Sequence, residues 1–228
     1  MNQIRTIGII MDGNRRWAKQ AGLPALEGHR RGAEKFREVL GWSREAGVMT
    51  VIAYAFSTEN WQRKKLEINF LFKLFRQFLK TEVEALIKDK TIFRCIGDRA
   101  SLPKDLQSAI TEAEARTKHL GPLTLVVAVA YGGRAEIVSV AKVFAKRYAS
   151  QLDTAGESEF EKCLWTAGLP DPDLIIRTGG ATRLSNFLPW QSVYSELAFT
   201  PTYWPALTEK EFTAILTEAG NHARRFGR

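Results

Sequence analysis

The feature that most constrains this chain is an alternation. Short apolar runs rich in β-branched residues are separated by longer amphipathic segments. The runs cover residues 6–11, 50–56, 92–96, 123–131 and 174–177. Each is the type of strand buried on both faces within a parallel sheet. Between them, residues 32–46 read as a helix that stops at Gly47, a C-terminal cap. Residues 66–89 put Ile68, Leu71, Phe72, Phe75, Leu79 and Val83 at steps of three and four. Ser101 before Pro103 reads as a helix cap with a first-turn proline. Thr208 with Glu211 reads as a capping box for a last helix running to about Arg224. The polar stretch 150–159 reads as a loop. No repeat, low-complexity segment or linker interrupts the pattern. The expectation is an α/β fold: a single domain over 1–228, with a mostly parallel central sheet flanked by helices on both faces.

The 228 residues suffice for one large domain burying about 70–75% of its unfolded surface without a staple. The N-terminal apolar run is too short for a signal peptide, and the longest run, 123–131, is far short of a membrane span. Cys95 and Cys163 are the only two cysteines and lack metal-ligand spacing, so a reduced, cytoplasmic setting is expected. The net charge of +8 favours anionic partners. A solvated basic surface is the plain reading. A nucleic-acid binder should show a basic run or face with interleaved aromatics; here Lys and Arg are scattered along helices. They cluster only beside glycines at the expected strand ends, which suits a small phosphate ligand and argues against nucleic acid.

Ligands of open parallel sheets bind at the carboxyl ends of the strands. After the first run come Asp12, Gly13, Asn14, Arg15, Arg16 and Trp17. After the second come Ser57, Thr58, Glu59, Asn60, Trp61 and Arg63. Gly132, Gly133 and Arg134 follow the fourth, and Arg177, Thr178, Gly179, Gly180, Arg183 and Ser185 end the fifth. Glycines let backbone approach a phosphate, helix-start amides donate to its oxygens, and guanidinium groups grip it in a fork. Asp12 would repel phosphate unless a cation intervenes, and Mg²⁺ is held by one or two carboxylates plus substrate phosphates. The alternative is that Asp12 caps the next helix and pairs with Arg15 or Arg16. No P-loop, dinucleotide fingerprint or nucleophile elbow is present, and His29, His119 and His222 lack metal-binding spacing.

The ordered blocks MDGNRRWAK, GHRRGAEK, YAFSTENWQR, CIGDR, AYGGRAEIV, IRTGGATRLSNFLPWQSVYSELAF and RRFGR span nearly the whole chain. In them the sequence resembles the cis-prenyltransferase family, the undecaprenyl diphosphate synthase group. The resemblance implies condensation of isopentenyl diphosphate with an allylic diphosphate to form a new Z double bond. It implies that Asp12 and Glu196 hold Mg²⁺, and that Gly13, Asn14, Arg15, Arg16, Trp17 and His29 form the allylic diphosphate pocket. Arg177, Arg183, Leu184 and Ser185 would bind isopentenyl diphosphate. Ser57, Thr58, Glu59, Asn60, Trp61 and Arg63 would form a segment near the reacting carbons, with Asn60 assisting proton removal. Trp17, Trp61 and Phe56 would help exclude water. A homodimer is implied, with Arg225, Phe226 and Gly227 reaching across its interface, as is peripheral membrane contact through the lipid product.

A growing prenyl chain needs a hydrophobic tunnel. Phe72, Phe75, Phe78 and Leu79, with Ala55, Leu123 and Val129, could line it, although a helical apolar stripe ordinarily faces a core. Side-chain bulk along the family's tunnel sets product length, and Val129 points to a product shorter than undecaprenyl. Three positions depart from the family pattern. Ala25 stands where an arginine is frequent, Ala181 where glutamate is usual, and Thr182 where histidine is common. These keep open a relative with short or irregularly coupled products, and a non-catalytic partner subunit stands as the reading from another class.

Overall fold

The computed structural model describes residues 3–221. Six strands form one sheet: β1 (Thr6–Ile10), β2 (Thr50–Ser57), β3 (Ile92–Ile96), β4 (Thr124–Tyr131), β5 (Leu174–Arg177) and β6 (Glu196–Phe199). Their order is β3-β4-β2-β1-β5-β6, and every pairing is parallel. The helices are α1 (Asn14–Gln20), α2 (Ala25–Glu45), α3 (Lys65–Lys88), α4 (Lys104–Thr117), α5 (Gly133–Arg147), α6 (Glu157–Glu161) and α7 (Glu209–Asn221).

Strand alternation divides the core in two, because successive side chains point to opposite faces. Ile7, Ile9, Val51, Ala53, Leu125, Val127 and Leu174 join the larger cluster with Phe36, Leu79, Leu106 and Phe212 of the helices. Ile10, Ile52, Val126, Ala128 and Ile175 turn the other way and meet Tyr131, Phe187 and Leu188. Both faces are covered, which explains why the strands read as unbroken apolar runs.

Several local expectations are corrected. The strand β6 was not anticipated: it is four residues long, starts on a glutamate and lies at the sheet edge. Helix α2 begins at Ala25, not residue 32. Its glycines hid the first turns, yet Gly32 serves close packing: a Cβ there would lie 2.3 Å from Asn14 Oδ1. Ser101 does not cap α4. It sits in a 3₁₀ turn with its hydroxyl donating to the Asp98 carbonyl at 2.7 Å, and Pro103 precedes the first helical residue. The stretch 150–159 runs into α6 at Glu157. At α7 the Glu211 amide donates to Thr208 Oγ1 at 3.2 Å. The Glu211 carboxylate accepts from the Thr200 hydroxyl, so only half of the capping box forms. Arg224 to Gly227 lie outside the described residues.

Candidate active site

Strand β1 ends at Ile10, and the chain turns so that Gly13 takes φ 105°, a left-handed value. There a Cβ would come within 2.7 Å of the Tyr203 ring, so glycine is required on both counts. This turn starts α1 and leaves Asp12 at the carboxyl edge of the sheet. Arg177, the last residue of β5, pairs with Ile10 in register. Its Nη2 donates to Asp12 Oδ2 at 2.8 Å. On the other side, Arg16 Nη2 lies 3.0 Å from Asp12 Oδ1. Burial works to raise the Asp12 pKa, but the Arg177 hydrogen bond and the charges of Arg16 and Arg177 outweigh it, so the carboxyl sits below its usual range.

Arg177 has a side chain only 5% exposed. Its Nη1 donates to the Arg183 carbonyl and to Ser185 Oγ, both at 2.6 Å. Its Nε is buried with no hydrogen-bond partner among the described residues. A buried guanidinium with a donor to spare is poised for an oxyanion. Ser185 takes a left-handed φ of 49°, and the Tyr54 hydroxyl reaches its carbonyl at 3.4 Å.

Two cavities meet here. One, about 660 Å³, is a basic bowl lined by Arg15, Arg16, Lys19 and Gly13. The other, about 650 Å³, is an apolar tunnel lined by Phe36, Ala55, Phe72, Phe75, Phe78 and Val129, with Arg177 and Ser185 at its mouth. Met11, Asp12, Asn14, His29 and Arg63 line both. The bowl fits a charged head and the tunnel an apolar tail, with one wall common to the two.

A 3₁₀ turn, Thr58–Gln62, straps across this junction. The Ser57 amide donates to Asn60 Oδ1 at 3.1 Å. Glu59 accepts from Asn186 Nδ2 at 3.0 Å. Arg63, which follows the turn, donates to Glu67 Oε1 at 2.9 Å.

Of the expected site residues, Asp12, Gly13, Asn14, Arg15, Arg16, His29, Ser57, Glu59, Asn60, Arg63, Arg177 and Ser185 line these cavities. The Arg183 carbonyl holds Arg177. The others lie outside these two cavities. Trp17 lines neither cavity; at 3.6 residues per turn it lies across α1 from Arg15 and Lys19. Thr58 and Trp61 face a separate pocket beside Arg94 and Arg99, and Trp61 packs on Phe56 and Phe72 at 5.1 and 5.5 Å. Leu184 packs against the core cluster around Phe187. Leu79 and Leu123 belong to the larger core, not the tunnel wall. Glu196 is level with Leu174, three residues and about 10 Å down the sheet from Arg177. Within one chain it does not meet Asp12.

Sequence reasoning missed Glu67, Asn186 and Tyr54. Glu67 hides in the first turn of a helix, where acids are ordinary. Asn186 adjoins Ser185, and Tyr54 lies inside a strand; only the fold brings them to the site.

Among the described residues, no group of three or more His, Cys, Asp or Glu side chains is set to hold a metal. Asp12 offers one carboxylate beside cationic donors. That fits a hard cation that takes its other ligands from diphosphate and water, and does not fit an all-protein cage.

The family model described as putative undecaprenyl diphosphate synthase matches residues 10–227. The chain belongs to the undecaprenyl diphosphate synthase family. Relatives in that family include the ditrans,polycis-undecaprenyl-diphosphate synthase of Micrococcus luteus, described as (2E,6E)-farnesyl-diphosphate specific. It is 44% identical over 97% of this chain and 90% of that protein. The isoprenyl transferase of Bacillus subtilis is 43% identical over 97% and 86%. Among solved structures, lavandulyl diphosphate synthase from Lavandula x intermedia, in complex with dimethylallyl diphosphate, superposes with a TM-score of 0.95 at 34% identity, covering 99% of both chains. A probable undecaprenyl diphosphate synthase from Campylobacter jejuni gives 0.83 at 34% identity over 100% of both. The family makes this chain a prenyltransferase with the cis-prenyltransferase fold expected from its motifs.

Proposed function

We propose that the protein condenses isopentenyl diphosphate with an allylic prenyl diphosphate to give a Z-polyprenyl diphosphate, with Mg²⁺ as cofactor. The observation that carries this reading is the wall shared by the basic bowl and the apolar tunnel. An allylic diphosphate laid across it keeps its head among Arg15, Arg16 and the helix-start amides and its tail among Phe72, Phe75 and Phe78. Arg177, with its unpartnered Nε, and Ser185 receive the diphosphate of isopentenyl diphosphate. Asp12, together with the substrate phosphates, would hold Mg²⁺, which would supply charge stabilisation for the departing diphosphate. The fixed guanidinium and amide donors stabilise the departing diphosphate most when ionisation is advanced. The alkene of isopentenyl diphosphate attacks the allylic carbon, and the resulting cation loses a proton to an oxygen of the released diphosphate, with Asn60 placed to assist. The apolar tunnel keeps water from the carbocation.

A second reading is a relative with irregular coupling. Ala181 and Thr182 leave the loop before Arg183 without an acid or imidazole, and the lavandulyl diphosphate synthase likeness spans the whole chain. We take the active unit to be a homodimer in the cytoplasm whose lipid product draws it to membranes. Among the described residues, no helix is long and apolar enough to cross one.

The test is to incubate pure protein with Mg²⁺, labelled isopentenyl diphosphate and allylic starters of increasing length, then extract into organic solvent. Extractable label that requires both starter and Mg²⁺ is expected. Product length and bond geometry separate regular from irregular coupling, and no extractable label with any starter would sink both readings.

A further inference from the structure

The wall common to bowl and tunnel has a carboxylate behind it that the proposed chemistry leaves unused. Glu67 lies in the first turn of α3. An acid there ordinarily faces the helix dipole and solvent. Glu67 instead has a side chain only 14% exposed, turned toward donors from three other segments. His29 Nε2 of α2 lies 3.0 Å from its Oε1. Arg63 Nη1, at the end of the 3₁₀ strap, lies 2.9 Å from the same oxygen. Arg15 Nη1 of α1 lies 3.9 Å from Oε2.

The strap carries Asn60, and two bonds fix that residue to the ends of the turn. The Asn60 side-chain oxygen accepts from the Ser57 amide, and its main-chain carbonyl accepts from the Arg63 amide at 3.0 Å. Whatever holds Arg63 therefore holds Asn60. The strap has one clasp to each diphosphate cluster: Glu59 with Asn186, next to Ser185, and Arg63 with Glu67, next to Arg15 and His29. Only the second clasp is a charged pair shielded from solvent on its acidic side.

We propose that Glu67 is a positioning residue for the condensation: by clamping His29 and Arg63 together it seats the strap, and so Asn60, against the reacting carbons. This rests on the functional reading above. A carboxylate in this role is not a diphosphate ligand. Removing it frees Arg63 and Arg15 to turn toward the bowl, so substrate binding survives while the strap loses its seat. The signature is a split between turnover and binding.

The experiment measures steady-state kinetics with Mg²⁺, isopentenyl diphosphate and an allylic diphosphate for wild type, Glu67→Ala and Glu67→Gln. Amide hydrogen exchange of residues 57–63 is followed in the same proteins. Glu67→Ala should lower kcat by about tenfold to a hundredfold, the usual loss when a supporting partner is removed. The KM for the allylic substrate should not rise, and exchange in 57–63 should quicken. Glu67→Gln, whose amide oxygen still accepts from Arg63, should recover most of the turnover and protection. It also serves as the readable variant if Glu67→Ala fails to fold. Unchanged kcat in Glu67→Ala, a raised KM at constant kcat, or a loss that Gln does not repair would overturn the inference while the functional reading stands. A wild-type protein without turnover would overturn that reading and this inference with it.

Discussion

A carboxylate gripped by guanidinium groups on both oxygens stays ionised well into acid. Asp12 is such a group, with Arg177 at 2.8 Å and Arg16 at 3.0 Å. Its folded pKa lies below the free value of 3.8. The pairing therefore contributes stability fully above that value, and the contribution is lost as pH falls through the lower folded pKa. Asp12→Asn keeps the shape and removes the charge. Turnover should fall by at least about 10²–10³, the scale seen when one group stabilising developing charge is removed. Circular dichroism should show an intact fold, and the acid limb of the denaturation profile should flatten relative to wild type. Retained turnover would exclude a metal-holding role. Asp12 and Arg177 were legible in the sequence because each stands where an apolar run stops at a charge. Glu67 was not, since its partners His29 and Arg63 come from separate elements.

At the scale of elements, the apolar stripe of α3 does two jobs that its spacing alone does not separate. Phe72 and Phe75 line the tunnel with Phe78, whereas Leu79, one residue on, faces the core. Phe78 also touches Phe36 and Phe93, with ring centroids 6.4 and 6.3 Å away. Phe78→Ala should lengthen the products, read by mass spectrometry of the dephosphorylated lipids, because it opens the tunnel between α2 and the sheet. Leu79→Ala should cost about 2–5 kcal/mol of stability in denaturant titration and leave product length unchanged. The helix itself was legible from its period, but which residue bounds a void depends on what packs opposite. The β strands were legible for the same reason that they are buried: apolar side chains face both ways. β6 escaped because an edge strand of four residues, half covered, carries no such signature.

At the scale of the whole molecule, the sheet ends on β6, whose outer side carries no strand among the described residues. Beside it Val193, Tyr194 and Leu197 are 69, 66 and 46% exposed. Open strand edges with apolar side chains invite a second chain. A homodimer should therefore appear in light scattering, and Leu197→Lys should weaken it while leaving the monomer folded. A monomeric wild type would remove the dimer from the account. The single carboxylate between the two arginine sets has a consequence for repeated rounds of the reaction. On the proposed reading, each condensation would leave the lengthened lipid attached to the phosphates that arrived with isopentenyl diphosphate, on the Arg177 side. A further round would require that head to cross to the Arg16 side. Asp12 touches Arg177 and Arg16 alike, so on the proposed reading a head group would pass from one side to the other about one fixed post while the tail stayed threaded. Extension would then proceed by short handovers, with no need to release the lipid between additions.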